Sequence, residues 1–209
     1  TMTGAQSSAV EEKLAAAEAA LSGVAAGEEQ RDLAGQIAAI RAMLAVPLNA
    51  VETIIAQAQQ ARELLRADNL PMRTTTAWSL GYAYQIRGER AAAGLAYAEA
   101  IEVAQASGNL MVELGATTCL GQIREAEGEL HAADLQYRRV LGMVGDPPWP
   151  VACEAYLGLA RLHYQWNELE TAQSFGERSL ALARQMENVD TPAACGIFLA
   201  RLHLARGDV

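Results

Sequence analysis

The sequence predicts an all-α solenoid of antiparallel helix hairpins repeating about every forty residues, and three observations lead there. The first is composition. Of 209 residues, 51% are hydrophobic but only 5% aromatic, and alanine supplies about a fifth, well above ordinary usage. Such material favours helices and is poor in the bulky and β-branched side chains that sheets use. The second observation is a near-regular series of turn residues, Asn49, Gly88, Gly128, Asn167 and Gly207, separated by 39, 40, 39 and 40 residues. The third is that the columns around those landmarks hold the same chemistry. Seven residues before each stand Ala42, Gly81, Gly121, Ala160 and Ala200; five after come Ile54, Ala93, Ala133 and Ala172; nine after come Ala58, Tyr97, Tyr137 and Gly176. Small residues facing small or aromatic ones are what close packing of antiparallel helices requires.

Glycine and asparagine tolerate the left-handed backbone that ends a helix, so each landmark marks the turn between a first helix A and a second helix B. In chain order, a leading helix at about 8–21 stands as the B helix of an earlier repeat. The first hairpin pairs helices near 29–46 and 50–66 across Asn49 and is closed by the breaker run Asp68-Asn69-Leu70-Pro71. The second pairs 73–87 with 89–106 across Gly88 and ends at Ser107-Gly108-Asn109. The third pairs 111–127 with 129–144 across Gly128 and ends at Asp146-Pro147-Pro148-Trp149-Pro150. The fourth pairs 151–165 with 168–186 across Asn167, and a last A helix at 192–205 runs to Gly207-Asp208. No shift of composition divides the chain. The expected organisation is a leading helix over 1–27 and one repeat solenoid over 28–209, with repeats at 28–70, 71–109, 110–149 and 150–190 and a half repeat at 191–209.

A small residue seven before the turn, alanine five after it and tyrosine nine after it resemble the tetratricopeptide repeat, whose usual unit is about 34 residues, so the longer period marks a variety with longer helices. The resemblance implies a right-handed superhelix. It extends further in the phrases AWSLGYAYQIRGERAAAGLAYAEAIEVAQASGN (Ala77 to Asn109), PPWPVACEAYLGLARLHYQWNELETA (Pro147 to Ala172) and LARLHLARGD (Leu199 to Asp208). These are similar to the repeat region of MalT-like, large ATP-binding LuxR-type transcription regulators, from about Ile37 onward. The resemblance implies a bacterial, cytoplasmic regulator with a nucleotide-hydrolysing module, a helical repeat region that receives the inducer, and a helix-turn-helix module. The chain carries no G-x-x-x-x-G-K-[ST] phosphate loop, and no basic recognition helix follows Gly207. It therefore reads as the sensing and coupling segment of a larger regulator.

Charge points the same way. With 16 basic residues against 25 acidic ones, the formal charge is −9, and Lys13 is the sole lysine. Phosphate backbones and anionic lipids are gripped by lysine and arginine clusters, so direct nucleic-acid or membrane contact is not expected. No stretch approaches the roughly 18 to 20 apolar residues of a membrane helix, and Thr1 to Ala5 carry no basic leader of a secretion signal. Cys119, Cys153 and Cys195 show no metal-ligand or paired spacing and read as small buried apolar residues.

In stacked hairpins the concave face is lined mainly by A helices. Residues thirteen, ten, six and three before each turn form one stripe opposite the small packing residues. The second, third and fourth repeats give Thr75, Trp78, Tyr82 and Gln85; Gly115, Thr118, Gln122 and Glu125; and Glu154, Leu157, Arg161 and Tyr164. The fifth gives Ala194, Ile197, Arg201 and Leu204, and the first is nearly apolar. Trp78, Tyr82, Gln85, Gln122, Glu125, Glu154, Arg161 and Tyr164 are the expected ligand-binding set, because aromatic plates and planar hydrogen-bonding groups suit a small polar organic molecule or a peptide segment. The equally simple reading is an ordinary solvated groove.

Other residues read as structural. His163 and His203 occupy one repeat column, and His131 reads as a surface residue with no partner. Glu28-Glu29 and Glu125-Glu127 read as solvated helix faces. Trp166 is expected to pack between repeats, and Trp149 either to staple its proline-rich loop or to cap the edge of the groove. No catalytic constellation, metal site or cofactor motif is visible, so an enzyme is not expected. Two functions remain: an effector-sensing repeat domain that controls modules outside this chain, or a tetratricopeptide scaffold binding a protein or peptide partner in its groove.

Overall fold

A computed structural model describes residues 4–21, 23, 27–186 and 190–207. Its described residues form an all-α repeat fold: α1 (Gly4–Leu21), α2 (Glu28–Ala45), α3 (Val51–Leu64), α4 (Leu70–Arg87), α5 (Arg90–Ser107), α6 (Leu110–Ala126), α7 (Leu130–Met143), α8 (Cys153–Gln165), α9 (Leu169–Ala183) and α10 (Asp190–Arg206). All five landmark residues adopt the left-handed backbone, with φ of 51° at Asn49, 78° at Gly88, 79° at Gly128, 61° at Asn167 and 77° at Gly207. After four of them the next amide closes the same six-residue turn: Ala50 N–H to the Ala45 carbonyl, Glu89 to Tyr84, Glu129 to Arg124 and Glu168 to His163. These bonds satisfy carbonyls that the helix end leaves unpaired. Asp208, which follows the last turn, lies outside the described residues.

Helix boundaries depart from the sequence expectation where proline acts. Helix α4 starts at Leu70 rather than near 73, because Pro71 sits in its first turn, where no backbone donor is needed. Pro47 and Pro150 each open a short 3-10 turn, before the Asn49 reversal and before α8.

The chain forms two compact units, Thr1–Glu113 and Leu114–Val209. In the first, Ala42, Ile54, Ala58, Leu80 and Ala83 bury one seam, and the ring of Tyr97 lies on Gly81. Helix α2 is tied to the next turn by Asp32, whose carboxylate accepts the backbone N–H of Arg66 at 2.8 Å and the side-chain amide of Asn69 at 3.0 and 3.2 Å. In the second unit the ring of Tyr137 is held between Gly121 of α6 and Gly158 of α8, and Val140, Leu159, Ala160 and Leu162 are fully buried. Ala200, the last of the small column, is exposed, since among the described residues no helix follows α10 to cover it.

Three expectations are corrected. His131 is not without a partner: its ring stacks on Trp166 at 5.5 Å, because the turn at Asn167 carries Trp166 back toward the start of α7. That stack makes Trp166 an inter-repeat contact, as expected, and within its own repeat it also meets His163 edge-on at 5.2 Å. Cys119 is half-exposed, whereas Cys153 and Cys195 are buried. Glu125 is not a solvated carboxylate, its side chain being 14% exposed. Trp149 remains 44% exposed and, with Pro147, Pro148 and Pro150, faces Arg178 and Leu182 of α9 across a small cleft.

Candidate functional site

The expected ligand-binding residues fall in both units: Trp78, Tyr82 and Gln85 in the first, the other five in the second. In the first unit, Trp78 and Tyr82 lie one helical turn apart on α4 and stack at 5.8 Å with an interplanar angle of 17°. The Tyr82 hydroxyl donates to Oδ1 of Asn49 at 2.6 Å, so the ring is anchored to the preceding turn. Gln85 accepts the Tyr97 hydroxyl at 2.8 Å.

In the second unit, polar links join successive A helices. Gln122 of α6 donates to Glu154 of α8 at 2.8 Å, and Thr191 of α10 lies 3.4 Å from the other oxygen of Glu154. Arg161 of α8 makes a two-pronged bond to Glu125 of α6, Nε to Oε1 and Nη2 to Oε2, each at 2.7 Å. The Tyr137 hydroxyl donates to Oε2 of the same carboxylate at 2.8 Å. Burial alone would lower the Arg161 pKa, but the Glu125 carboxylate more than offsets it and holds the guanidinium firmly charged. Burial and the neighbouring Glu125 charge push the Tyr137 hydroxyl far above its ordinary value, so it stays a donor.

Tyr164 makes a different link. The guanidinium of Arg201 on α10 sits over its ring at 5.2 Å, and Phe198 meets it edge-on at 6.1 Å. Between α8 and α10 opens a cavity of about 480 Å³, with Leu157, Ile197 and Phe198 as walls and Arg161, Tyr164 and Arg201 at its polar edge. Its volume is ordinary for a small-molecule site.

The structure thus pairs Gln122 with Glu154 and Glu125 with Arg161, and gives Tyr164 to Arg201. Two participants were outside the expected set. The sequence marks Tyr137 only as a packing residue, and its equivalence to Tyr97, which reaches Gln85 from the same column, is the signal for its second role. Arg201 was on the stripe, and its column match to Arg161 was the signal there. Among the described residues no cluster of His, Cys, Asp and Glu is arranged to hold a metal ion, and no helix is long and apolar enough to cross a membrane.

The family described as the MalT-like TPR region matches residues 35–209. Among solved structures, BtubC (BKLC) from P. vanneervenii is similar with a TM-score of 0.67 at 18% sequence identity, over 93% of this chain and 85% of that one. At that identity the likeness concerns the fold alone. No curated protein sequence matches the chain.

Proposed function

Because the chain belongs to the MalT-like tetratricopeptide-repeat family, we propose that it is the effector-sensing and protein-interaction domain of a bacterial LuxR-type transcription regulator, controlling ATPase and DNA-binding modules that this sequence does not contain. It binds its effector on the A-helix face, works in the cytoplasm, needs no cofactor and catalyses no reaction. The observation that carries this reading is the ladder of links between successive A helices in the second unit: Gln122 to Glu154, Glu125 to Arg161, Tyr164 to Arg201. Such links are specific in geometry yet partly open to solvent. A ligand that competes for one of them binds one arrangement of the helices better than another, and that difference is what allows an effector to shift a population.

The test is a thermal-shift screen of sugars, amino acids and other metabolites, run beside a column carrying the chain as bait. A specific effector at a hundred times its dissociation constant adds about 2.7 kcal/mol of stability, and a change at the ladder removes that gain. If no metabolite moves the melting curve while a protein partner is retained, effector sensing fails and a scaffold remains. The regulatory part is read from the gene: a phosphate loop and a helix-turn-helix in the same polypeptide support it, and their absence overturns it.

A further inference from the structure

The step from α6 to α8 and the step from α8 to α10 use the same columns with different residues. In the first step, Glu125 stands three residues before its turn and receives Arg161, which stands six before the next. In the second step, the equivalent of Glu125 is Tyr164 and the equivalent of Arg161 is Arg201. The arginine is kept and its carboxylate is replaced by a ring. Arg201 accordingly lies over Tyr164, is exposed to solvent, and among the described residues has no carboxylate within ion-pair distance.

A second substitution changes what packs in the same step. Tyr137, which fills the first step and bonds to Glu125, corresponds to Gly176 in the second. The ring there comes instead from Phe198 on the facing helix, which lies against Gly176 and brings no hydroxyl. The cavity between α8 and α10 is lined by Leu157, Ile197 and Phe198 together with Tyr164 and the guanidinium groups of Arg201 and of Arg161, the latter already held by Glu125.

We propose that this cavity binds a small organic acid, whose carboxylate takes the place before Arg201 that Glu125 takes before Arg161, and whose aliphatic or aromatic body lies on Leu157, Ile197 and Phe198. A planar guanidinium matches a carboxylate through two parallel hydrogen bonds. The long-range field of an acidic chain disfavours an anion, so recognition depends on this local cation rather than on steering. The proposal rests on the effector-sensing reading and names the chemical class of the effector.

Isothermal titration of the whole chain with 3-phenylpropionate and octanoate, and with their neutral amides as controls, tests it. At least one acid is expected to bind while its amide binds about tenfold or more weakly, as loss of a charge-assisted bond entails. Arg201→Gln is expected to reduce acid binding by a similar factor. Tyr164→Glu is expected to abolish it, since the new side chain supplies Arg201 with an internal carboxylate, and the melting temperature is expected to hold or rise. Equal binding of acid and amide overturns the proposal, as does full binding by Arg201→Gln, or the failure of both acids up to millimolar concentration. A neutral metabolite that binds where both acids fail would overturn this assignment and leave effector sensing intact. If no metabolite binds at all, both fall.

Discussion

Tyr137 lies so close on Gly121 that a Cβ built on the glycine would fall 2.6 Å from the tyrosine Cε1. The ring cannot retreat, because Gly158 lies against its other edge and its hydroxyl is bonded to Glu125. Gly121→Leu is therefore expected to destabilise the chain by about 1 to 3 kcal/mol through overpacking. Urea unfolding should show a lower midpoint at unchanged slope, and an unshifted midpoint would contradict the register.

Glu125 answers two donors at once, Arg161 and Tyr137. Glu125→Ala strands both. Since the Arg161 side chain is 35% exposed, water compensates part of the loss, and the expected cost is about 1 to 2 kcal/mol rather than that of a fully buried pair. A double-mutant cycle with Arg161→Ala should return a coupling of about 0.5 kcal/mol or more; additive effects would mean that the two side chains act independently in solution. Arg161→Ala alone is also expected to lower the melting temperature, so a lost effector response in that variant has to be read against Arg161→Lys.

The turns were legible in the sequence because a left-handed backbone restricts which residues can stand there, and Asn49, Gly88, Gly128, Asn167 and Gly207 meet that restriction at regular intervals. The packing columns were legible for a similar reason: a ring such as Tyr97 or Tyr137 demands a residue without a side chain opposite it. The polar pairs were not. Periodicity places Glu125 and Arg161 on one face, but side-chain length and rotamer decide that they meet each other across 36 residues of chain. His131 escaped likewise, since its partner Trp166 arrives from the next hairpin's turn. Asp32 carries no periodic signal at all, as its role belongs to one turn.

At that turn, Asp32 gathers the backbone N–H of Arg66 and the side-chain amides of Gln36 and Asn69. Burial by itself raises its pKa, but these hydrogen bonds outweigh burial and leave it below the ordinary value. A carboxyl with a depressed folded pKa contributes stability that is present above its unfolded pKa, about 4, and is lost as pH falls through the folded value. Asp32→Asn is thus expected to be less stable than the parent at neutral pH, with the gap closing below about pH 4. Denaturation of both proteins across that range checks it, and a constant gap would remove the charge from the explanation.

The three cysteines should separate by reactivity. Cys153 is buried, and burial first, then the neighbouring Glu154 and Cys195, push its thiol up to about 11. Cys195 is buried with its sulfur 3.0 Å from the Ser179 hydroxyl. Cys119 is half-exposed. A thiol reacts as its thiolate and only where reagent can reach it, so an aromatic disulfide reagent at mildly alkaline pH should titrate one cysteine of the native chain quickly, and all three after unfolding. Labelling followed by mass spectrometry should place the fast site at Cys119. If Cys153 or Cys195 reacts at a comparable rate without denaturant, the seam between α8, α9 and α10 opens more readily than its packing implies.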